Sequence, residues 1–506
     1  MSALSLDNLV YCQDVQTIFN SLLFSNIFMA EATTRTWDKY RAVLRYPLLK
    51  SYIERFQTTS FFNEKAGLLS FFYLQGQAVV DTVRVPVWAS ALDPRIHVFW
   101  IQPTRTGKTI AWEFIGEIAK LADIPIDMFT TGTDAALIGS FESVKEDDGS
   151  FSITQHPGLL AGKKCLNFDE GSILLQSNPK QFFSEVILYL QQAMNPIGSH
   201  SNTLTKHMKH GTIETESRAS LWITTFPPTG VKEYVLTKGL FQRVLLFYSP
   251  WSKGMRQQVS EKRMSGVFKD MVSGITTLDD IAQHFKDTHT KMEQRLLKLT
   301  NTSAGDWVEK SPKEKEEIAR QAMLEMLHIT PDFEAALLDT VMTYYTLILG
   351  MDKGMSDVVC SFIPNILNYT VLFAVHLAIL EIVTEDKEDF IVNGDHIEMA
   401  TEIIYDVYEQ LVVWLEEEVE VGTVRAAKIA KKQAWGNAYE SAGTIEIEGK
   451  EGEWARKSDI LRAYGATENK SRPVVYNHFR DVGHRYFDVA TSKNVKYLRW
   501  GGGKND

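Results

Sequence analysis

A lysine followed by a hydroxyl, set in a short turn behind an apolar strand, can grip a polyphosphate. Residues 102–109, Gln-Pro-Thr-Arg-Thr-Gly-Lys-Thr, have that composition. Gly107 and Thr106 would let backbone N–H groups wrap the phosphates, Lys108 would reach the β- and γ-phosphates, and the Thr109 hydroxyl would ligate magnesium. Gln102 stands where the motif expects its leading glycine, and Arg105 lies inside the turn. A second apolar run, Cys165 to Phe168, ends in Asp169 and Glu170. Asp169 would hold the magnesium through water, and Glu170 would orient and deprotonate an attacking water. Together the two segments read as the halves of a nucleotide-hydrolysing site.

Those residues need particular elements to carry them. Val98 to Ile101 suits a buried strand, and Ile110 to Ala119 is patterned as an amphipathic helix whose N-terminus would face the phosphates. Cys165 to Phe168 suits a neighbouring central strand, delivering its carboxylates at the strand's carboxyl end, where open α/β sheets bind ligands. Residues 91–250 alternate apolar strands with helical patterns, which predicts a parallel sheet with helices on both faces.

The rest of the chain divides around this core. Residues 1–90 read as a small helical domain or collar, and residues 251–421 as a helical insertion and lid, with breaks at Ser303 to Gly305 and at Ser311-Pro312. The lid should contain two long amphipathic helices, the second N-capped by Asp395. Residues 422–506 give helix, helix, helix and then two short strands, a winged-helix pattern. Asn477, His478 and Arg480 fall on its recognition helix, and Lys493 and Lys496 on its wing. A DNA contact and a protein contact are both open to that fold. The predicted class is thus multidomain α/β, with a P-loop core between helical and winged-helix units.

Composition narrows the setting. With 506 residues, 44% of them hydrophobic, the chain can bury large cores in more than one domain. Cys12, Cys165 and Cys360 are too scattered for a disulfide framework or a four-ligand zinc site, which fits a reducing cytoplasm, that of a host if the source is viral. The longest apolar run, Tyr369 to Val383, is interrupted by His376 and Glu381 and reads as a core helix, with no membrane partner expected. The net charge of −11 is unevenly spread. From Val421 onward 16 basic residues face 10 acidic ones, whereas the remainder carries 37 against 54. A chain coated throughout by nucleic acid is excluded, but a basic C-terminal unit is not.

Between the two nucleotide segments lie Thr130 to Ser140 (TTGTDAALIGS), Val144 to Phe151 (VKEDDGSF) and Pro157 to Gly162 (PGLLAG). This succession resembles the ATPase core of MCM helicases, members of the AAA+ superfamily. The resemblance makes the glycine-containing segment and its hairpin a helix-2 insert, Gln191 to Met194 the end of the following helix, and Lys209 to Gly211 the tip of a pre-sensor-1 hairpin. It implies that Lys209, with Lys206 beside it, contacts nucleic-acid phosphates, an interaction independent of sequence and sensitive to salt. Arg218 to Thr225 resembles the strand leading to sensor 1, but Phe226 replaces the family's asparagine before Pro227, so Thr225, or else Thr224, takes the sensor role. Leu240 to Arg243 resembles the arginine-finger segment, with Arg243 reaching the ATP of an adjacent subunit. No arginine stands at the family's sensor-2 position in Asn365 to Ala378, for which Arg256 is a substitute. The family's large N-terminal domain does not fit in residues 1–90.

The resemblance therefore implies a shortened relative, an economy that suits a virus or mobile element. It would be an ATP- and Mg2+-dependent DNA helicase, working in replication as a homo-hexamer with other replication proteins. Two other functions fit the same residues. One is an AAA+ initiator or remodeller that binds DNA through the winged helix without processive unwinding. The other is a scaffold that no longer hydrolyses, which Lys108, Asp169, Glu170 and Arg243 argue against.

Overall fold

The structure, a computed structural model, describes residues 40–249, 276–420 and 432–500, apart from short stretches at 61–63, 88–89, 105, 130–133, 146–150, 176–180, 228–230, 237–238, 350, 352, 433, 448–449, 468–471, 482–485 and 493–494. Among the described residues three helices come first: α1 (Arg41–Arg45), α2 (Pro47–Ser60) and α3 (Glu64–Ala78). The last gathers its few polar residues on no single face and is buried from Ala66 to Ala78, because a helix without a polar face has to be surrounded. Its polar groups are used internally. The Tyr73 hydroxyl donates to the Ser220 carbonyl at 3.0 Å, and Gln77 Nε2 to the Arg218 carbonyl at 3.1 Å. The described part of the stretch read as a collar, from Tyr40 onward, thus shares one continuous apolar core with buried residues as far as Leu415.

A mixed α/β body with a central parallel sheet follows. In chain order it comprises β1 (Val98–Ile101), α4 (Lys108–Leu121), β2 (Ile126–Phe129), α5 (Asp134–Ile138), β3 (Gly139–Lys145), β4 (Phe151–Pro157), β5 (Gly162–Phe168), α6 (Gln181–Ala193), β6 (Thr203–Met208), β7 (Gly211–Thr225) and β8 (Leu245–Tyr248). Its strand order is β8-β1-β7-β5-β2, parallel throughout, and helices flank it. The strand bearing the acidic pair is therefore not a hydrogen-bonded neighbour of β1, as its sequence suggested. β7 lies between them, pairing Trp222 with Val98 on one side and Ile223 with Phe168 on the other. Two antiparallel hairpins, β3–β4 and β6–β7, leave this sheet. They lie side by side, since a side chain added at Gly211 would meet the Phe141 ring at 3.1 Å.

The helices after the sheet include α7 (Leu278–Thr300), α8 (Ala304–Glu309), α9 (Pro312–Met326), α10 (Pro331–Thr346), α11 (Ile363–Thr384) and α12 (Gly394–Glu418), with a shorter helix at Lys353–Cys360 before α11. The breaks expected at Ser303 and Ser311 are helix N-caps. Each hydroxyl accepts from the backbone N–H three residues on, and Glu314 completes a capping box with Ser311. α11 is buried round its circumference, not amphipathic, and its interrupting polar residues are partnered. His376 Nε2 lies 2.9 Å from the Pro94 carbonyl, and Glu381 accepts from Tyr46 at 2.8 Å and also meets Arg45 and Lys387. The cap of α12 is Asn393 and not Asp395. Asn393 Oδ1 accepts from the His396 N–H at 3.1 Å, while Asp395 turns outward to Arg41 and Arg45.

The C-terminal unit has a separate core around Trp435, Tyr464, Phe479 and Leu498. It contains β9 (Ile445–Ile447), β10 (Lys450–Arg456), α13 (Lys457–Thr467), α14 (Arg472–Asp481), β11 (Phe487–Ser492) and β12 (Val495–Trp500). The antiparallel sheet runs β9-β10-β12-β11. β10 was not apparent in the sequence because Lys-Glu-Gly-Glu has low strand propensity. Its Gly452 turns through φ +88°, and Arg499 packs over its Trp454.

Candidate active site

The carboxyl ends of β1, β5 and β7 converge on one cleft of about 490 Å3, lined by Thr104, Thr106 to Ile110, Asp169, Glu170 and Thr224 to Phe226. All five residues proposed from sequence for phosphate and magnesium, Thr106, Gly107, Lys108, Thr109 and Asp169, line it, as do Glu170 and Thr225. Ligand clefts in parallel sheets form at this end because the βα loops and helix N-termini open there.

The turn after β1 owes its shape to two residues. Gly107 caps α4 at φ +94°, a conformation costly for any residue with a Cβ, and so turns the first N–H groups of α4 toward the cleft. Gln102, in the leading-glycine position, is fully buried, and its Nε2 donates to the Thr106 carbonyl at 3.0 Å. Its side chain is a strut across the turn. The Lys108 ammonium donates to the carbonyls of Gln102 at 2.6 Å and Pro103 at 2.9 Å. Burial pushes its pKa down to about 8, against the pull of Asp169.

The acidic pair is held as firmly. Asp169 N–H donates to the Phe129 carbonyl, which fixes the end of β5 against β2. Asp169 Oδ1 accepts from the Thr224 hydroxyl at 3.0 Å and from the Glu170 N–H at 3.1 Å. Glu170 itself is exposed to the cleft, with φ +59°, a left-handed conformation rare for a residue with a side chain and typical of functional sites. Gly171 makes that turn possible: a Cβ there would lie 2.5 Å from Ile223 Cγ2. The pair is thereby pressed against the end of β7.

Of the two threonines, Thr224 is the one bonded to the acidic pair; the Thr225 hydroxyl donates to the Phe226 carbonyl at 3.1 Å. Strand alternation sends adjacent side chains to opposite faces, so one of them at most can meet Asp169. The exposed Phe226 forms the lip of the cleft. An ammonium, a helix N-terminus and hydroxyls suit phosphate oxygens, and the Asp169 carboxylate near Thr109 suits a hard cation.

Arg243 is elsewhere. It precedes β8, whose Leu245 pairs with Val98 at the start of β1, and so lies at the amino ends of the strands. The height of β1 alone, roughly 10 Å at about 3.3 Å per residue, separates it from its own chain's cleft. Arg243 Nε donates to Asn195 Oδ1 at 2.8 Å and its Nη1 to the Gly239 carbonyl at 2.6 Å. Burial lowers its pKa.

Among the described residues, none of those expected to meet nucleic acid lines the cleft. Lys209 and His210 form the two-residue turn of the β6–β7 hairpin, with Lys209 exposed and Lys206 half-buried on β6. Asn477, His478 and Arg480 are on α14, where Arg480 is exposed and the other two side chains lie outside the described residues. Lys496 is exposed on β12, while Lys493 and Arg256 fall outside the described residues. No protein-family model and no curated protein matches the chain.

Proposed function

We propose that this chain is an ATP-hydrolysing DNA motor of the MCM-like AAA+ kind, active as a homo-hexamer that draws one strand through its ring. One observation carries the reading. The phosphate turn, the acidic pair and the Thr224 hydroxyl meet at one end of the β8-β1-β7-β5-β2 sheet, while Arg243 lies at the other, out of reach of its own cleft. An arginine so placed can serve only a neighbour's nucleotide, which ties turnover to assembly. The buried helices after β8 take the lid's part in this reading, and the C-terminal unit, with α13, α14 and the β9-β10-β12-β11 sheet, that of a winged helix.

Each cleft residue then has a task. The α4 N-terminus and Lys108 bind the β- and γ-phosphates, and Thr109 and Asp169 are the residues that would hold the cation. Magnesium, when bound, neutralises phosphate charge. Glu170 takes the proton from the attacking water, and Thr224 keeps Asp169 from turning away. Lys108 must be charged for binding. With its pKa near 8 in the free protein, ATP affinity should hold at pH 7 and fall above pH 8, approaching about tenfold per unit. Titration of ATP between pH 7 and 9 checks this, and Lys108→Met should bind weakly with no such pH dependence.

The adjacent β3–β4 and β6–β7 hairpins, touching through Phe141 and Gly211, support a shared task in the channel. Lys209→Ala is expected to keep basal ATP turnover but lose at least tenfold in unwinding of a labelled fork. The salt slope of single-strand binding should also fall, by about 0.7 for each phosphate no longer neutralised. Unwinding at the wild-type rate would remove the hairpin from the mechanism. Turnover without any fork unwinding by the wild type would favour an initiator that holds duplex DNA through α14 and β12.

A further inference from the structure

The hydrogen bonds that hold Arg243 continue into the base of the β6–β7 hairpin. Asn195 uses both ends of its side-chain amide: Oδ1 accepts from Arg243 Nε at 2.8 Å, and Nδ2 donates to the Ser201 carbonyl at 2.8 Å, two residues before β6. Its main chain is fixed. The Asn195 carbonyl accepts from Arg95 Nη2 at 2.8 Å and from Asn202 Nδ2 at 2.8 Å, and Arg95 is itself buried against Asp93. Asn202 Oδ1 accepts in turn from the Ser217 N–H at 3.2 Å. Ser217 is where β7 leaves its pairing with β6 and begins its pairing with β5. The asparagine pair therefore sits at the hinge between hairpin and sheet.

Resting on the proposed function, we propose that Asn195 is a positioning residue that couples Arg243 to the hairpin. Departure of the guanidinium toward a neighbour's nucleotide and loosening of the hairpin base are then one event. Three features support this. Asn195 Oδ1 and the Gly239 carbonyl, which hold Arg243, are neutral oxygens and weaker acceptors than a carboxylate, so phosphate oxygens of full charge can draw it away. Once it leaves, Asn195 Oδ1 has lost its donor and the amide can rotate. Because the Asn195 backbone stays clamped, rotation of the side chain is the movement available, and it breaks the bond to Ser201.

The test needs no nucleotide. Hydrogen exchange of the full-length protein, followed by mass spectrometry, is read as the rate in peptides covering residues 199–208 relative to β5 peptides from the same digest. That ratio discounts any general loosening of the fold. Arg243→Ala and Asn195→Ala are each expected to raise it at least threefold, and the double variant no further, as for two residues in one linkage. Asn195→Asp keeps an acceptor for Arg243 but loses the donor to Ser201. It should raise the ratio as Asn195→Ala does, while holding the arginine more tightly and lowering assembled ATP turnover at least threefold. An unchanged ratio in Arg243→Ala, or additive effects in the double variant, would overturn the proposal. Absence of ATP turnover in the wild type would count against the motor alone, since the exchange ratio is measured without it.

Discussion

Glu170→Gln is expected to lower ATP turnover by about 10²- to 10⁴-fold, the usual contribution of a general base, while leaving ATP affinity and assembly near wild type. The substitution is close to isosteric and the position is tightly set. The left-handed turn at φ +59°, the absence of a Cβ at Gly171 and the bond from Glu170 N–H to Asp169 all act on the backbone, and an amide leaves them intact. What changes is the capacity to accept a proton. Steady-state turnover with a parallel binding titration decides it, and equal turnover would remove Glu170 from the chemistry.

Arg243→Ala should cost at least a comparable amount, on the order of 10³-fold or greater, because a guanidinium supplied in trans stabilises charge that the cleft's own Lys108 does not reach. A complementation result should accompany it. Lys108→Ala subunits lack a working cleft but carry the arginine, whereas Arg243→Ala subunits have the reverse defect. An equimolar mixture should therefore recover a substantial fraction of wild-type turnover, although each variant alone is inactive. No recovery on mixing would mean that Arg243 acts within its own subunit, against its placement at the amino end of β8.

The chemistry was more legible in the sequence than its spatial arrangement. β1, α4 and β5 announce themselves by local patterns: a four-residue apolar run, a helical period after Lys108 and a strand ending in two carboxylates. That β7 separates β1 from β5 is a long-range pairing, which no local period encodes. Which of Thr224 and Thr225 bonds to Asp169 was hidden for a related reason, since it depends on which face of β7 meets that carboxylate. Other signals were present but understated. The absence of a polar face on α3 and α11 already implied burial on all sides. The role of Gln102 had no such signal, because a strut from Nε2 to the Thr106 carbonyl exists only once the turn has closed.

The single core that runs from α1 to α12 also determines where this chain can be cut. A break near residue 90 would separate Tyr73 and Gln77 from β7, and the buried Arg84 from Glu316 on α9, which would keep only the partly exposed Arg320 as partner in an opened interior. The N-terminal helices are therefore not an appendage that selection could exchange independently of the cleft. The C-terminal unit, which closes its own core around Trp435, is the portable part, and its surface can diverge without disturbing the cleft.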